Sequence, residues 1–156
     1  MAFIIDIQHA IPTILPVTDD ELKHWTNLAL NSQMNEAELT LRIVSSEEIR
    51  QLNVQYRKKQ GATNVLSFPT QVPKALLLEL QYPLLGDIII CADVLFNESH
   101  ELHKPLKHHW AHIVIHGVLH LMGHDHMKPE AEAIMQAIEI KLLNELGIPN
   151  PYEDHE

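Results

Sequence analysis

Residues 105–126 read Pro-Leu-Lys-His-His-Trp-Ala-His-Ile-Val-Ile-His-Gly-Val-Leu-His-Leu-Met-Gly-His-Asp-His. Proline is tolerated in a first helical turn, where its missing N–H would have no partner. Glycine is a natural helix end, because it takes a left-handed backbone without a Cβ clash. The spacing therefore predicts a helix from about Pro105 to Gly123. His116 and His120 are four residues apart, so they project from one face, one turn from each other. Two imidazoles so placed can chelate one ion. Gly123 then turns the chain back, and His126 reaches the same ion from the loop. Three neutral imidazoles with one position left open is the layout of a catalytic zinc site rather than a closed structural one. Val118, Leu119, Leu121 and Met122 form the core face of the same helix.

The residues before this helix alternate between strand and helix. Phe3–Ile7 reads as a strand. Thr18-Asp19-Asp20-Glu21 reads as a helix start, a cap residue followed by acids, for a helix running to about Met34 that buries Leu22, Trp25 and Leu28 or Ala29. Leu39–Val44 alternates as a strand does. Ser45 and Glu48 have capping-box spacing and open a helix with Ile49, Leu52 and Tyr56 on one side and Arg57 near its end. Thr63–Phe68 is a strand stopped by Pro69, and residues 70–85 show no clear period. The apolar run from Asp87 to Cys91 predicts a strand buried on both faces. A last helix, about Glu130 to Leu146, turns Ile134, Ile138, Leu142 and Leu146 to the core and stops at Gly147. The order β-α-β-α-β-β-α-α predicts an α+β fold. It is one domain over 1–149, with a small mixed sheet of about four strands and helices packed around the histidine-bearing one. An acidic tail over 150–156 is expected to be frayed.

The chain has 156 residues, 46% of them apolar and 21% charged, enough to bury a core without staples. Its one cysteine, Cys91, permits no internal disulfide and reads as a buried core thiol, which suits a reducing compartment. No stretch approaches the roughly 18 apolar residues of a membrane helix, and the opening residues do not resemble a secretory leader. Cytoplasm is the expected location. The formal charge of −10 argues against nonspecific nucleic-acid binding. Eight of the eleven Lys and Arg residues nevertheless fall between Arg42 and Lys107, which leaves room for a local basic surface.

The histidine spacing is also that of zinc metallopeptidases with a third histidine ligand, the zincin-like pattern His-Glu-x-x-His-x-x-Gly-x-x-His. Those enzymes place a general-base Glu directly after the first His. Here Gly117 occupies that position, so a peptidase would lack its base.

Residues 116–126 resemble the signature of the YbeY family, the bacterial rRNA maturation factors: His-Gly-x-Leu-His-Leu-x-Gly-x-Asp-His. A second block agrees, Asn53, Tyr56 and Arg57 followed by Thr63-Asn64-Val65-Leu66-Ser67-Phe68-Pro69. A third is Leu85-Gly86-Asp87-Ile88-Ile89-Ile90-Cys91. The blocks stand in family order and spacing. His124 departs from the pattern, since the family has Tyr before the Asp-His pair. The resemblance implies a metal-dependent endoribonuclease that cuts single-stranded RNA, acting in small-subunit (16S) rRNA maturation and ribosome quality control. It implies His116, His120 and His126 as zinc ligands and Arg57 as the functional arginine. It implies precursor rRNA and the ribosome as partners, and the −10 charge adds the expectation that a ribosomal protein or an assembly GTPase brings the chain to its target.

Such chemistry is consistent with the ligand set. A zinc ion held by three neutral histidines keeps its full charge, activates water near neutral pH and polarises a phosphoryl oxygen. An arginine can hold the phosphate bidentately. The nucleophile is either water activated at the metal or the RNA's own 2′-OH. Nickel or another divalent ion suits the same ligands. Asp125 either holds a ligand imidazole or caps the turn after Gly123. His112 lies one turn before His116 and either lines the cleft or faces solvent, whereas His109 is expected at the exposed surface. His100, His103 and His108 are expected to face solvent, and His9, His24 and His155 carry no argument. The alternatives to a ribonuclease are a zinc metallopeptidase-like hydrolase and a non-catalytic metal-binding ribosome-assembly factor.

Overall fold

A four-stranded mixed sheet organises the chain in the computed structural model, which describes residues 2–57, 61, 63–80, 82–125 and 127–153, with the side chains of Ala2, Arg57 and Lys74 left aside. The strands are β1 (Ala2–His9), β2 (Glu36–Val44), β3 (Val65–Pro69) and β4 (Leu84–Cys91). Their order is β1-β2-β4-β3. β1 pairs with β2 and β2 with β4 in parallel, while β3 runs antiparallel to β4 along the sheet edge. β4 is the buried central strand expected from its apolar run, with Ile88 to Cys91 all buried. Gly86, at φ 136°, brings β4 so close to β3 that a Cβ there would stand 2.1 Å from the Phe68 carbonyl oxygen.

Six α-helices are described: α1 (Asp19–Asn31), α2 (Ser46–Leu52), α3 (Lys74–Leu77), α4 (Ala92–Glu101), α5 (Leu106–Leu121) and α6 (Pro129–Glu145). Thr18 and Glu21 form the expected capping box at α1. Ser45 caps α2, but the Glu48 carboxylate turns away to Arg42, at 2.8 and 3.1 Å. α2 continues as a π-helical turn, Asn53–Arg57.

Three expectations for the elements are corrected. α4 lies where the sequence showed no clear pattern, because its buried positions reduce to Leu95 and Ser99. α3, a single turn, lies within residues 70–85, where no clear period was seen. Tyr56 does not pack with Ile49; it is 59% exposed, because the π turn rotates it out of register. On α6 the buried stripe is Met135, Glu139, Leu142 and Leu143, and Ile134 is 58% exposed.

Alternation along the strands sorts the core into two layers. Leu39, Leu41, Ile43, Ile88 and Ile90 face one way, onto α1, α5 and α6. Val44, Leu66, Ile89 and Cys91 face the other way, beneath Ile49 of α2. α5 is the central helix: Trp110, Ala111, Val114, Ile115, Val118 and Leu119 are at most 1% exposed. Full burial of each large apolar side chain contributes roughly 1.5–3 kcal/mol, so α5 is firmly anchored and its histidine face is fixed in direction. Cys91 is a buried free thiol, as expected. Among the described residues, no helix is long and apolar enough to cross a membrane.

Candidate metal centre

The side of α5 turned from the sheet carries His109, His112, His116 and His120, spaced three, four and four residues. Successive ring centroids are 6.3, 6.2 and 5.8 Å apart, so the four imidazoles form a ladder along the helix. His116 and His120 thus stand together on one face, as their spacing required. α5 ends beyond Leu121, and Gly123 takes the left-handed backbone expected of a helix stop, φ 104°. His126, the third expected ligand, and the Arg57 side chain lie outside the described residues.

Behind His116 stands a residue that sequence reasoning missed. Glu139 of α6 is fully buried, and its Oε1 lies 2.7 Å from His116 Nδ1. Burial alone would push this carboxyl up. Hydrogen bonds from His112, His116 and Tyr152 outweigh burial and hold its pKa down to about 2. An ionised carboxylate only accepts hydrogen bonds. His116 Nδ1 must therefore carry the proton, and in the neutral ring Nε2 is the nitrogen with the lone pair. A carboxylate that fixes the tautomer and orientation of an imidazole is the usual support of a metal-ligating histidine. The signal in the sequence was an acid on a buried stripe: Met135, Glu139, Leu142 and Leu143 recur at helical spacing, and acids are almost never fully buried without partners.

A second donor set overlaps the first. His112, His116 and Glu139 offer three ligand atoms within 4.8 Å of one another, so a metal ion could be held there. Such an ion would have to displace the Nδ1 proton that Glu139 accepts. The three side chains are 13%, 22% and 0% exposed.

The remaining histidines separate into roles. His109 does not face solvent as expected: it is 4% exposed, and its Nε2 lies 2.9 Å from Glu98 of α4. His112 is half-buried, and burial pushes its pKa down against the pull of Glu139. His100 and His103 are exposed, and His108 is half-buried. His124 Nε2 lies 2.5 Å from Gln33 Nε2, which occupies that nitrogen away from the ladder. Asp125 Oδ1 accepts from the Met127 N–H at 3.1 Å, which closes the turn after Gly123.

Gly117 explains the absent peptidase base. It faces the sheet, where an added Cβ would lie 3.0 Å from Ile88 Cγ2 and 3.2 Å from Val65 Cγ2. Ser67 Oγ donates to the Gly117 carbonyl at 3.0 Å. The position after the first histidine is a packing contact between α5 and the β3–β4 pair, with no room for a glutamate.

Helix-borne histidines backed by a buried carboxylate, on an α+β scaffold, define the candidate centre of a hydrolase. The sequence profile of the Endoribonuclease YbeY family matches residues 8–147, and the chain belongs to that family. It is 51% identical to the Endoribonuclease YbeY of Legionella pneumophila strain Corby, over all of this chain and 98% of that protein. The same figures hold for the proteins of strains Lens and Paris. The solution structure of TM1509 from Thermotoga maritima shares the fold, with a TM-score of 0.59 over 97% of both chains at 21% identity.

The depressed pKa of Glu139 makes stability pH-dependent. A carboxyl at about 2 when folded, against an ordinary value of 4.5, adds stability above pH about 4.5 that is lost as pH falls toward 2. The loss is on the order of 3 kcal/mol at about 1.4 kcal/mol per unit. Denaturant melts of metal-free protein between pH 6 and 2.5 are expected to show this decline, flattened in Glu139→Gln. An equal decline in both proteins would assign acid sensitivity to other groups.

Proposed function

We propose that the chain is a metal-dependent endoribonuclease specific for single strands, acting in maturation of small-subunit rRNA and in ribosome quality control. The observation that carries the reading is the His116–Glu139 contact, which leaves His116 Nε2 as the lone-pair nitrogen on the face it shares with His120. In this reading His116, His120 and His126 hold one zinc ion, with nickel an alternative, and Arg57 binds the scissile phosphate. Bound there, the ion supplies Lewis-acid polarisation of the phosphodiester and a water of lowered pKa. Glu139 keeps the His116 tautomer fixed, and the apolar face of α5 holds the ligands rigid against the sheet. Arg57 complements the charge that develops on the phosphoryl oxygens.

The single-strand preference is supported by the far side of the β3 edge. A groove of about 500 Å³ there is lined by Tyr56 and Phe68 among others, whose rings meet edge to face at 5.5 Å. Tyr56 is exposed and Phe68 half-buried, so the Tyr56 ring is the one that can stack on an unpaired base, which a duplex does not offer. The net charge of −10 favours delivery by a partner, a ribosomal protein or an assembly GTPase, over capture of RNA by charge alone.

The test is cleavage of one RNA sequence presented as a single strand and as a perfect duplex. Only the single strand is expected to be cut. Equal cutting of both forms, or of neither, would overturn the reading. A cyclic phosphate on the products would identify the 2′-OH as nucleophile, and its absence would identify water.

A further inference from the structure

We infer that Tyr152 is a positioning residue of the metal centre, acting through Glu139 on His116. The inference rests on the proposed function's reading of His116 as a ligand. The stretch beyond α6 was expected to be frayed from residue 150, yet it folds back over the helix ladder. Gly147, at φ 76°, reverses the chain, and the Ile148 N–H donates to the Leu143 carbonyl at 2.9 Å. Ile148 packs on the main core. Lys104 Nζ then donates to the Pro151 carbonyl at 2.9 Å, and the Tyr152 N–H donates to Asn150 Oδ1 at 2.8 Å. Two anchors and a side-chain-closed turn thus deliver the Tyr152 ring to one place.

At that place the Tyr152 hydroxyl donates to Glu139 Oε2, while His116 Nδ1 lies on Oε1. The two carboxylate oxygens are held by different donors, so the carboxylate cannot rotate without breaking one bond. A single proton assignment accounts for the hydrogen bonds among these groups. Because Tyr152 gives its proton to Glu139, its oxygen accepts from His112 Nε2 at 3.2 Å. His112 Nδ1 then carries no proton, and that atom is buried without a hydrogen-bond partner. The Tyr152 ring also meets the His112 ring edge to face, 5.4 Å between centroids at 88°. Tyr152 therefore does two things for His116: it fixes the plane of the carboxylate and helps keep water from it.

The experiment is zinc affinity of the full-length protein by competition with a chelator, for wild type, His116→Ala, Glu139→Gln, Tyr152→Phe and the Tyr152→Phe/Glu139→Gln pair. Thermal melts of the metal-free proteins run alongside. Loss of a residue supporting a metal ligand costs about 10–100-fold in affinity. Tyr152→Phe is expected to weaken zinc binding about tenfold, and to add nothing once Glu139 is already Gln. A purely structural role would lower the melting temperature and leave the affinity of the folded protein in place. Unchanged affinity in Tyr152→Phe, with binding lost in His116→Ala, overturns the inference alone. A tenfold loss that persists in the Glu139→Gln background overturns the route through Glu139. Wild-type protein that binds no zinc, or His116→Ala that binds as wild type does, overturns the ligand reading and the inference with it.

Discussion

Replacing His116 with alanine is expected to lower kcat/KM for single-stranded RNA by about 10³-fold or more, and to abolish zinc retention on a desalting column. Metal polarisation of a phosphoryl oxygen is worth several kcal/mol, and each 1.36 kcal/mol is tenfold in rate. The substitution also takes from Glu139 Oε1, in a buried carboxylate that Tyr152 holds through Oε2, its 2.7 Å donor. An unsatisfied buried acceptor costs roughly 1–3 kcal/mol, which lowers the melting temperature of a domain this size by about 2–4 °C per kcal/mol. The protein is therefore expected to fold but melt earlier. Cleavage within tenfold of wild type, in a preparation shown to be folded, would remove His116 from the chemistry.

Gly117→Glu is expected to destabilise the chain by at least about 4 kcal/mol, a large part of the 5–15 kcal/mol that a domain has in total. The Cβ alone meets Ile88 at 3.0 Å and Val65 at 3.2 Å, and the rest of the side chain must enter the packed layer between α5 and the sheet. Overpacking costs typically 1–3 kcal/mol, and a carboxylate buried with no partner adds more. Gly117→Ala separates the two costs. It gains about 1 kcal/mol of helix propensity and loses about as much to the crowded Cβ, so its midpoint in urea is expected to move little. A Gly117→Glu protein with a near-native midpoint would show that α5 can move off the sheet. The zinc-peptidase alternative would then regain a route to its missing base.

The scaffold was legible where one period dominated. β4 announced itself by an unbroken apolar run, and α5 by a proline start, a glycine end and histidines four apart. α4 was hidden because few of its residues are buried, so no stripe stood out. α6 was placed correctly, and Ile138, Leu142 and Leu146 do pack on the core, but the stripe was off by one residue at its start, where Met135 rather than Ile134 is buried and Glu139 follows one turn on. That one-residue error concealed Glu139, because an acid reads as solvent-facing until its partners are known. Those partners lie 23 residues away at His116 and 13 away at Tyr152, and no local pattern joins them. The C-terminal turn was missed for the same reason. Its acids and prolines suggest a loose tail, and only the fold shows Lys104 and Glu139 holding it. The exposed-polar expectation for His109 failed because Glu98, which satisfies it, sits on the helix that was not seen.

The most direct test of a metal centre on α5 that cuts RNA is single-turnover cleavage of a single-stranded RNA by one preparation in three states: as purified, stripped of metal, and restored with one equivalent of zinc. The account predicts that cutting disappears on stripping, returns with zinc, and does neither in His116→Ala. Cutting that continues after the metal is removed, or that zinc restores equally in His116→Ala, would contradict it.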